Sequence, residues 1–263
     1  MNLMAESIIF NGKMLPVGFV LCSFESSDTT RETGIKLTTN KSALTPFRNK
    51  VNLYSVQYED VLKFSISLIK CNGEKISDYE YMELVDWLTS PVTYCPLTVI
   101  DFPDVSYHLE VIYYAVCTGY NEFIVNDVYG LTFNFECNAP YGFSPTQIYK
   151  FSGGTPVKVN NLTEEFSTDI YPVVTIDCKS TETITIRNDQ YPDEVMSLDV
   201  LKGQTLTIDN ESGMFTDSFK IFTFDELNFN LTWLHLAPGI NTITVSGNVT
   251  GSIEFQCVRK RGI

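Results

Sequence analysis

Histidine is scarce in this sequence, and the residue patterns that usually mark catalysis or metal binding are missing. The 263 residues include only His108 and His235, so a Ser-His-Asp or Cys-His catalytic set has few ways to form. The seven cysteines are widely spaced and include no Cys-x-x-Cys pair of the kind that binds zinc or does redox chemistry. We therefore expect no enzyme, no metal and no cofactor, and cysteines that are reduced and mostly buried.

Basic residues are outnumbered along the whole chain. Eighteen Lys and Arg face 32 Asp and Glu, a net charge of −14, and a division at Pro140 gives the halves −8 and −6. Such a surface repels phosphates, and the one basic cluster, residues 259–261, is too short to outweigh it. Apolar runs near the roughly 20 residues that span a bilayer are also missing. We expect neither specific nucleic-acid binding nor membrane association.

The composition is that of a folded, two-domain protein. Hydrophobic residues make up 44% of the chain, with 18 Phe and 14 Tyr, which is too apolar for disorder. The length suits two cores of ordinary size. We predict a mainly β protein with an N-terminal domain over residues 1–143, a linker over 144–156 and a C-terminal domain over 157–263.

The first half predicts a β-sandwich-like domain that carries one helix, an α+β arrangement. Ser7–Phe10 and the Asn11-Gly12 turn predict strand, turn, strand, and the alternation from Tyr54 to Lys70 predicts one long half-buried strand. Ser77 and Glu80 have the spacing of a capping box at a helix start, and Pro91 prevents continuation beyond Ser90. Further strands are predicted at Leu97–Phe102, Tyr107–Thr118, Tyr120–Val125 and Leu131–Cys137, with Gly119 and Gly130 between them.

Three large side chains of the predicted helix lie off its apolar stripe. Tyr81, Leu84, Val85 and Leu88 form that stripe, whereas Tyr79, Met82 and Trp87 stand among acidic residues. Either another subunit or a neighbouring loop of the same domain would cover them. These three residues are our candidates for a subunit interface.

The second half shows the short, regularly spaced strands of a β-sandwich and no convincing helix. The segment 144–156 is rich in Ser, Thr, Gly and Pro, and we interpret it as a hinge. Strands are predicted at Val157–Asn160, Tyr171–Cys178, Thr183–Arg187, Val195–Val200, Gln204–Asp209, Phe219–Phe224, Leu231–Leu236, Asn241–Val245 and Ser252–Val258.

The order and spacing of several segments resemble the distal tail proteins of siphovirus-type phages over nearly the whole chain. In the first half these segments are Phe10-Asn11-Gly12, the strand–turn–helix run from Phe64 to Leu88, and the domain exit from Phe135 to Gly142. In the second half they are Tyr171–Ile176, Gly203–Asp209 and Leu236–Ile243.

The resemblance implies a structural protein of the virion, at the distal end of the tail. It implies that the first domain closes a hexameric ring that continues the tail tube, with a channel through which DNA passes without specific binding. It further implies that the second domain is a galectin-like or carbohydrate-module-like sandwich where tail-tip and receptor-binding proteins for host adhesion dock. A ring closed by head-to-tail contact needs two different complementary patches on each subunit.

A lectin-like protein that binds host cell-wall sugars is the alternative. In that case Tyr191 or Trp233 would stack on a sugar, which requires an exposed ring beside polar groups. Trp233 shares an apolar stretch with Leu231, Leu234 and Leu236, which favours a core role for it. The acid pairs Asp193-Glu194 and Asp225-Glu226 are interpreted as solvated turns, and the loop 209–212 lacks regular calcium-ligand spacing.

Overall fold

The computed structural model describes residues 5–22, 35–43, 50–101, 111–165, 168–219 and 227–261. The chain divides into two compact units, Met1–Phe143 together with Lys260–Ile263, and Ser144–Arg259. Each unit has its own hydrophobic core. Among the described residues, no helix has the length and apolar character needed to cross a membrane.

The first unit is an antiparallel sheet with one helix packed on it. Its elements are β1 (Ser7–Phe10), β2 (Lys13–Met14), β3 (Phe19–Cys22), β4 (Leu37–Lys41), β5 (Leu53–Tyr58), β6 (Lys63–Lys70), α1 (Asp78–Thr89), β7 (Cys95–Ile100), β8 (Ile112–Val125), β9 (Asp127–Cys137) and β10 (Gly142–Phe143). The strands of the sheet run in the order β2-β1-β7-β8-β9-β6-β3, with β10 paired to β8. A separate two-stranded ribbon is formed by β4 and β5.

Side-chain alternation puts one face of this sheet into the core. Phe64, Phe133 and Phe135 are buried there, with Leu84 and Leu88 of the helix. The rings of Phe64 and Phe135 stack with their centroids 5.5 Å apart. The predicted α+β arrangement and the strand–turn–strand at Ser7–Met14 are confirmed, with Asn11 and Gly12 both at positive φ.

Three strand boundaries in this unit differ from the prediction. Tyr54–Lys70 is not one strand, because the turn at Asp60, whose carboxylate accepts from the Val61 amide, separates β5 from β6. Gly119 and Gly130 do not end strands. Gly119 lies at a bulge within β8 and Gly130 within β9, and the hairpin turns at Asn126, which has a φ of 65°. A bulge keeps both long strands paired where a strict two-residue period breaks.

The second unit is a sandwich of two antiparallel sheets, as predicted. Its strands are β11 (Gln147–Ser152), β12 (Val157–Asn161), β13 (Val173–Cys178), β14 (Glu182–Asn188), β15 (Val195–Val200), β16 (Thr205–Asp209), β17 (Met214–Asp217), β18 (Gly239–Val245) and β19 (Val249–Phe255). One sheet has the strand order β11-β19-β13-β16-β17 and the other β12-β18-β14-β15, with the core between them. The short strand β20 (Val258–Arg259) belongs to neither of these two sheets.

The segment 144–156, interpreted above as a linker and hinge, is part of this sandwich. Gln147–Ser152 pairs with β19 along its whole length. The Gly153 amide then donates to the Val249 carbonyl, and the Gly154 amide to that of Val245. A Cβ on Gly153 would stand 1.8 Å from the Gly247 carbonyl oxygen. Glycine is therefore required at position 153, because the backbone of Gly247 approaches it closely. The Ser, Thr, Gly and Pro content of 144–156, from which a hinge was predicted, does not mark a hinge here.

The predicted strand Leu231–Leu236 is also wrong. Only Leu236 forms a bridge, with Ile170, and Leu231 has a φ of 56°. Asparagine side chains take the hydrogen bonds that a neighbouring strand would supply, since Asn210 accepts from the Leu234 amide and Asn161 donates to the Leu236 carbonyl. The strand Met214–Asp217 was not predicted. The described residues do not include His108, Asp225 or Glu226. Of the predicted strand Phe219–Phe224 they include only Phe219.

Candidate functional site

Helix α1 presents an exposed surface with large side chains in the first unit. Ser77 caps it, with the Ser77 side chain accepting from the Glu80 amide and the Glu80 carboxylate accepting from the Ser77 amide, so the predicted capping box is confirmed. Leu84 and Leu88 are fully buried beneath it. On the opposite side Tyr79 is 77% exposed and Met82 68% exposed. Large side chains left this open on one helix face are typical of an interaction surface.

Trp87, the third interface candidate, is packed within its own unit. Its indole nitrogen donates to the Phe10 carbonyl at 3.1 Å, and the Lys13 ammonium lies 5.5 Å from the centre of its ring. The Trp87 side chain is half-buried against the core. The β1–β2 hairpin thus covers Trp87, whereas the side chains of Tyr79 and Met82 remain exposed.

The end of the β8–β9 hairpin forms a second partly apolar surface. Phe123, Ile124 and Val125 are exposed at this end. Below them the Tyr81 hydroxyl donates to the Glu122 carboxylate at 2.5 Å, which raises the pKa of Tyr81. This hydrogen bond links the helix to the hairpin.

The sheet face opposite the core is polar along β6 and β9. Ser65 donates to Asn134 at 2.8 Å, and the hydroxyls of Ser67 and Thr132 are 2.9 Å apart. Lys63 on this face is paired with Asp60 at 2.9 Å and with Glu136 at 3.3 Å, which raises the pKa of Lys63. Its charge is therefore neutralised locally, and this face offers little attraction to phosphates.

The second unit contains a polar cluster that the sequence analysis did not identify. His235 is 12% exposed in its side chain, with Nδ1 2.7 Å from Asp169 Oδ2 and Nε2 3.0 Å from Glu194 Oε2. The Tyr191 hydroxyl donates to the same Asp169 oxygen at 2.6 Å, which raises the pKa of Tyr191 to about 12. Asp169 and His235 are distant in sequence and outside any strand, so no local pattern signals the cluster.

The geometry of this cluster suits a structural role. The ring of Tyr191, a sugar-stacking candidate, lies over His235 with centroids 4.0 Å apart, and Tyr171 contacts the same imidazole at 5.6 Å. Both imidazole nitrogens are engaged by carboxylates, and no serine or cysteine nucleophile is hydrogen-bonded to either of them in the residues described. The cluster fastens the loops at 169, 191–194 and 235 to each other.

Trp233, the other sugar-stacking candidate, packs against the core of the sandwich. Its ring meets Phe229 edge-on at 4.9 Å, and a Cβ on Gly213 would lie 3.4 Å from it. The structure therefore does not bring Tyr191 and Trp233 together on one open surface; each ring is engaged by neighbours of its own.

Oxygen-rich loops in this unit are satisfied internally. Asp209 accepts from the Ser212 hydroxyl at 2.6 Å and from the amides of Glu211 and Ser212, which lowers the pKa of Asp209. Glu194 of the Asp193-Glu194 pair binds His235. Within the part of the chain that the structure describes, no group of three His, Cys, Asp or Glu is arranged to hold a metal ion.

Comparisons with known proteins give one consistent result. Residues 4–139 match a family model described as a phage tail protein N-terminal domain, and residues 141–257 match one described as a phage tail C-terminal domain. The crystal structure of the SPP1 Dit protein superimposes with a TM-score of 0.66, covering 95% of this chain and 98% of that one at 12% identity. That protein is described as a paradigm of the hub adsorption apparatus in phages that infect Gram-positive bacteria. A search of curated proteins gave no match.

Proposed function

This chain belongs to the phage tail protein family, and from that premise we propose that it is the distal hub of the tail, a ring between the tail tube and the tail-tip proteins. The observation that carries the proposal is that both halves match consecutive domains of one phage tail family, while the described fold follows a hub protein over nearly its whole length. A fold at 12% identity supports the architecture alone, so the hub role needs its own test.

The proposed assembly is a hexameric ring built by the first unit. Helix α1 supports this role because Tyr79 and Met82 are open on a unit whose core is otherwise well filled. A closed ring with one kind of contact needs two different surfaces on each subunit, and the helix face is one candidate. The channel of such a ring must let DNA pass without holding it. The polar face of β6 and β9 supplies a surface with its lysine neutralised.

In this proposal the second unit carries no chemistry and serves as a docking platform. Its polar clusters are engaged in holding loops, as at His235 and Asp209. A sandwich with rigid loops is suited to present a surface to other proteins. We propose that tail-tip or receptor-binding proteins bind it in the virion.

The first experiment is the mass of the purified protein in solution by light scattering, followed by electron microscopy. Six chains of 29.7 kDa give six times 29.7, or 178.2 kDa, and we expect a species of that mass that is imaged as a ring. The same measurement is repeated after co-expression with the tail-tube protein of the same phage. A monomer in both preparations would overturn the ring.

A second experiment locates the protein on the particle. Antibody fragments against the second unit should label the distal end of the tail in electron micrographs of virions. Label along the tail shaft or at the head would overturn the hub assignment. If the isolated protein instead binds cell-wall sugars and forms no ring, the lectin alternative replaces it.

A further inference from the structure

We propose that His235 and Glu194 form a pH-sensitive clasp, which holds the connection between β14 and β15, residues 189–194, against the loop of His235. The clasp is closed while the imidazole is protonated. As pH rises and the imidazole becomes neutral, the clasp opens and the connection is released. The inference concerns the second unit by itself and does not depend on the proposed ring.

The geometry around His235 requires two hydrogen-bond donors on one imidazole ring. Nδ1 lies 2.7 Å from Asp169 Oδ2, and Nε2 lies 3.0 Å from Glu194 Oε2. An ionised carboxylate accepts hydrogen bonds and donates none, and a neutral imidazole carries a single N–H. Both contacts are therefore hydrogen bonds only when the ring is an imidazolium, which donates from both nitrogens. In the neutral ring, one nitrogen lone pair faces a carboxylate oxygen.

A second donor keeps Asp169 in the role of an acceptor. The Tyr191 hydroxyl donates to the same Asp169 oxygen at 2.6 Å, and this hydrogen bond raises the pKa of Tyr191 to about 12. The hydroxyl therefore keeps its proton throughout the range in which histidine titrates, between about pH 5 and 8. Because the Asp169 oxygen already receives one proton donor, the proton that joins Asp169 to His235 belongs to the imidazole.

The other groups that face the imidazole bring no further positive charge. Tyr171 lies over the ring with centroids 5.6 Å apart, and the Asn188 side chain donates to the His235 carbonyl at 2.8 Å. The loop of His235, residues 227–238, contains no charged residue besides the histidine itself. Within the described part of the chain, the ion pairs of Asp169 and Glu194 are both with His235. The protonation state of one ring thus decides whether both carboxylates are satisfied.

Loss of the proton releases Glu194 rather than Asp169. The Glu194 contact is the longer of the two, and its side chain is 55% exposed, against 26% for Asp169. Water can therefore replace the imidazole at Glu194 at little cost. Asp169 keeps the Tyr191 hydroxyl and the shorter contact to Nδ1, which holds the single N–H of the neutral ring. The lone pair of Nε2 then faces Glu194, and the two groups separate.

Glu194 is the last residue of the connection, so its release loosens the turn before β15. The Glu194 amide donates to the Tyr191 carbonyl at 3.1 Å, and the Tyr191 amide donates to the Asn188 carbonyl at 2.9 Å. Pro192 and Asp193 between them are exposed. The two amides therefore report directly on whether the clasp is closed, because solvent reaches them once the turn opens.

Hydrogen exchange of the full chain, followed by mass spectrometry on peptides over residues 189–195, tests the clasp. After correction for the intrinsic pH dependence of exchange, protection of the Tyr191 and Glu194 amides should fall about tenfold from about pH 5.5 to about pH 8, since a hydrogen bond to a charged group is lost. Equal protection at the two pH values would overturn the inference.

Histidine-selective NMR identifies the group that titrates. The chain has only two histidines, so His108→Gln leaves the His235 signal alone. We expect protection of the connection to fall over the same pH range in which the His235 signal changes. A His235 signal that does not change while protection falls would assign the response to another group and would overturn the inference.

Glu194→Gln and Asp193→Asn separate the clasp from other effects of pH. A Gln side chain can donate to Nε2 of the neutral ring and accept from the protonated one, so Glu194→Gln should be equally protected at both pH values. Asp193→Asn is the matched control, because it removes the neighbouring exposed carboxylate, which is not one of the two that His235 binds. It should keep the parent's response. A response that persists in Glu194→Gln, or that Asp193→Asn abolishes, would overturn the inference.

The clasp and the hub fail independently. Absence of a ring from the parent chain overturns the hub and leaves the clasp in place, because the exchange measurement concerns loops of the second unit. Equal protection at both pH values overturns the clasp and leaves the hub in place.

Discussion

At the residue scale, the cysteines of this protein divide by burial. All seven are free in the structure. Cys71 is exposed, whereas burial raises the pKa of Cys137 to about 12 and that of Cys178 to about 11. Since the thiolate is the reactive form, both shielding and the raised pKa make the buried thiols inert.

We therefore expect one fast thiol in the native protein at neutral pH. In a titration with a colorimetric disulfide reagent, Cys71 should react first, the half-buried Cys22 and Cys117 more slowly, and the buried four only with unfolding. Cys71→Ser should remove the fast phase. A fast phase that survives this change, or several fast thiols, would contradict the burial pattern.

Glu80 makes the helix start sensitive to acid. Hydrogen bonds from the Ser77 side chain and amide, and then from Lys70, lower the pKa of Glu80 from 4.5 to about 2. The unfolded chain therefore takes up the proton first as pH falls. The stabilisation is complete above pH 4.5 and is lost as pH falls from 4.5 towards 2.

Glu80→Gln should flatten this part of the pH dependence. Gln can still accept at a capping box but does not titrate. We expect the urea midpoint of the parent chain to fall more steeply between pH 4.5 and 2 than that of the variant. Glu74→Gln, an exposed carboxylate outside the cap, should keep the parent's slope. Equal slopes in the parent chain and Glu80→Gln would show that the cap does not contribute.

At the scale of elements, buried asparagine side chains and close backbone contacts set the local conformation in places where apolar alternation alone predicts the wrong element. The helix was predictable because its signals, Ser77, Glu80 and Pro91, are local. The run Leu231–Leu236 has the alternation of a strand, but Asn161, Asn188 and Asn210 bind its backbone across 24 to 75 residues of sequence. The His235 cluster joins residues equally far apart. These hydrogen-bond partners come together only in the folded chain. A short stretch of sequence does not contain both members of a pair, so local patterns cannot predict them.

Gly153 gives a test of the same kind on the segment that resembled a hinge. Gly153→Ala should destabilise the sandwich by about 1–3 kcal/mol, because a Cβ would press on the Gly247 carbonyl. Unfolding can be followed by Trp233 fluorescence in a Trp87→Phe background. Thr155→Ala, exposed in the same turn, is the control and should change stability little. A true hinge would tolerate Gly153→Ala as well as it tolerates Thr155→Ala.

At the scale of the whole molecule, the two units have separate cores and unequal surfaces. Each core contains its own set of fully buried aliphatic and aromatic side chains. The open helix face and the exposed end of the β8–β9 hairpin both belong to the first unit. The second unit also exposes large apolar side chains, such as Met214 and Ile240, but its loops are held by internal hydrogen bonds, as at His235. Ring formation should therefore reside in the first unit, and the second should be an independent monomer.

Separate expression of the two units tests this division. A fragment of residues 144–259 should unfold cooperatively and remain monomeric at all concentrations, because its core is complete and its loops are internally bonded. A fragment of residues 1–143 should form the ring if it folds, which circular dichroism checks first. Assembly of the second fragment, or a folded first fragment that stays monomeric while the full chain closes a ring, would move the interface to the sandwich.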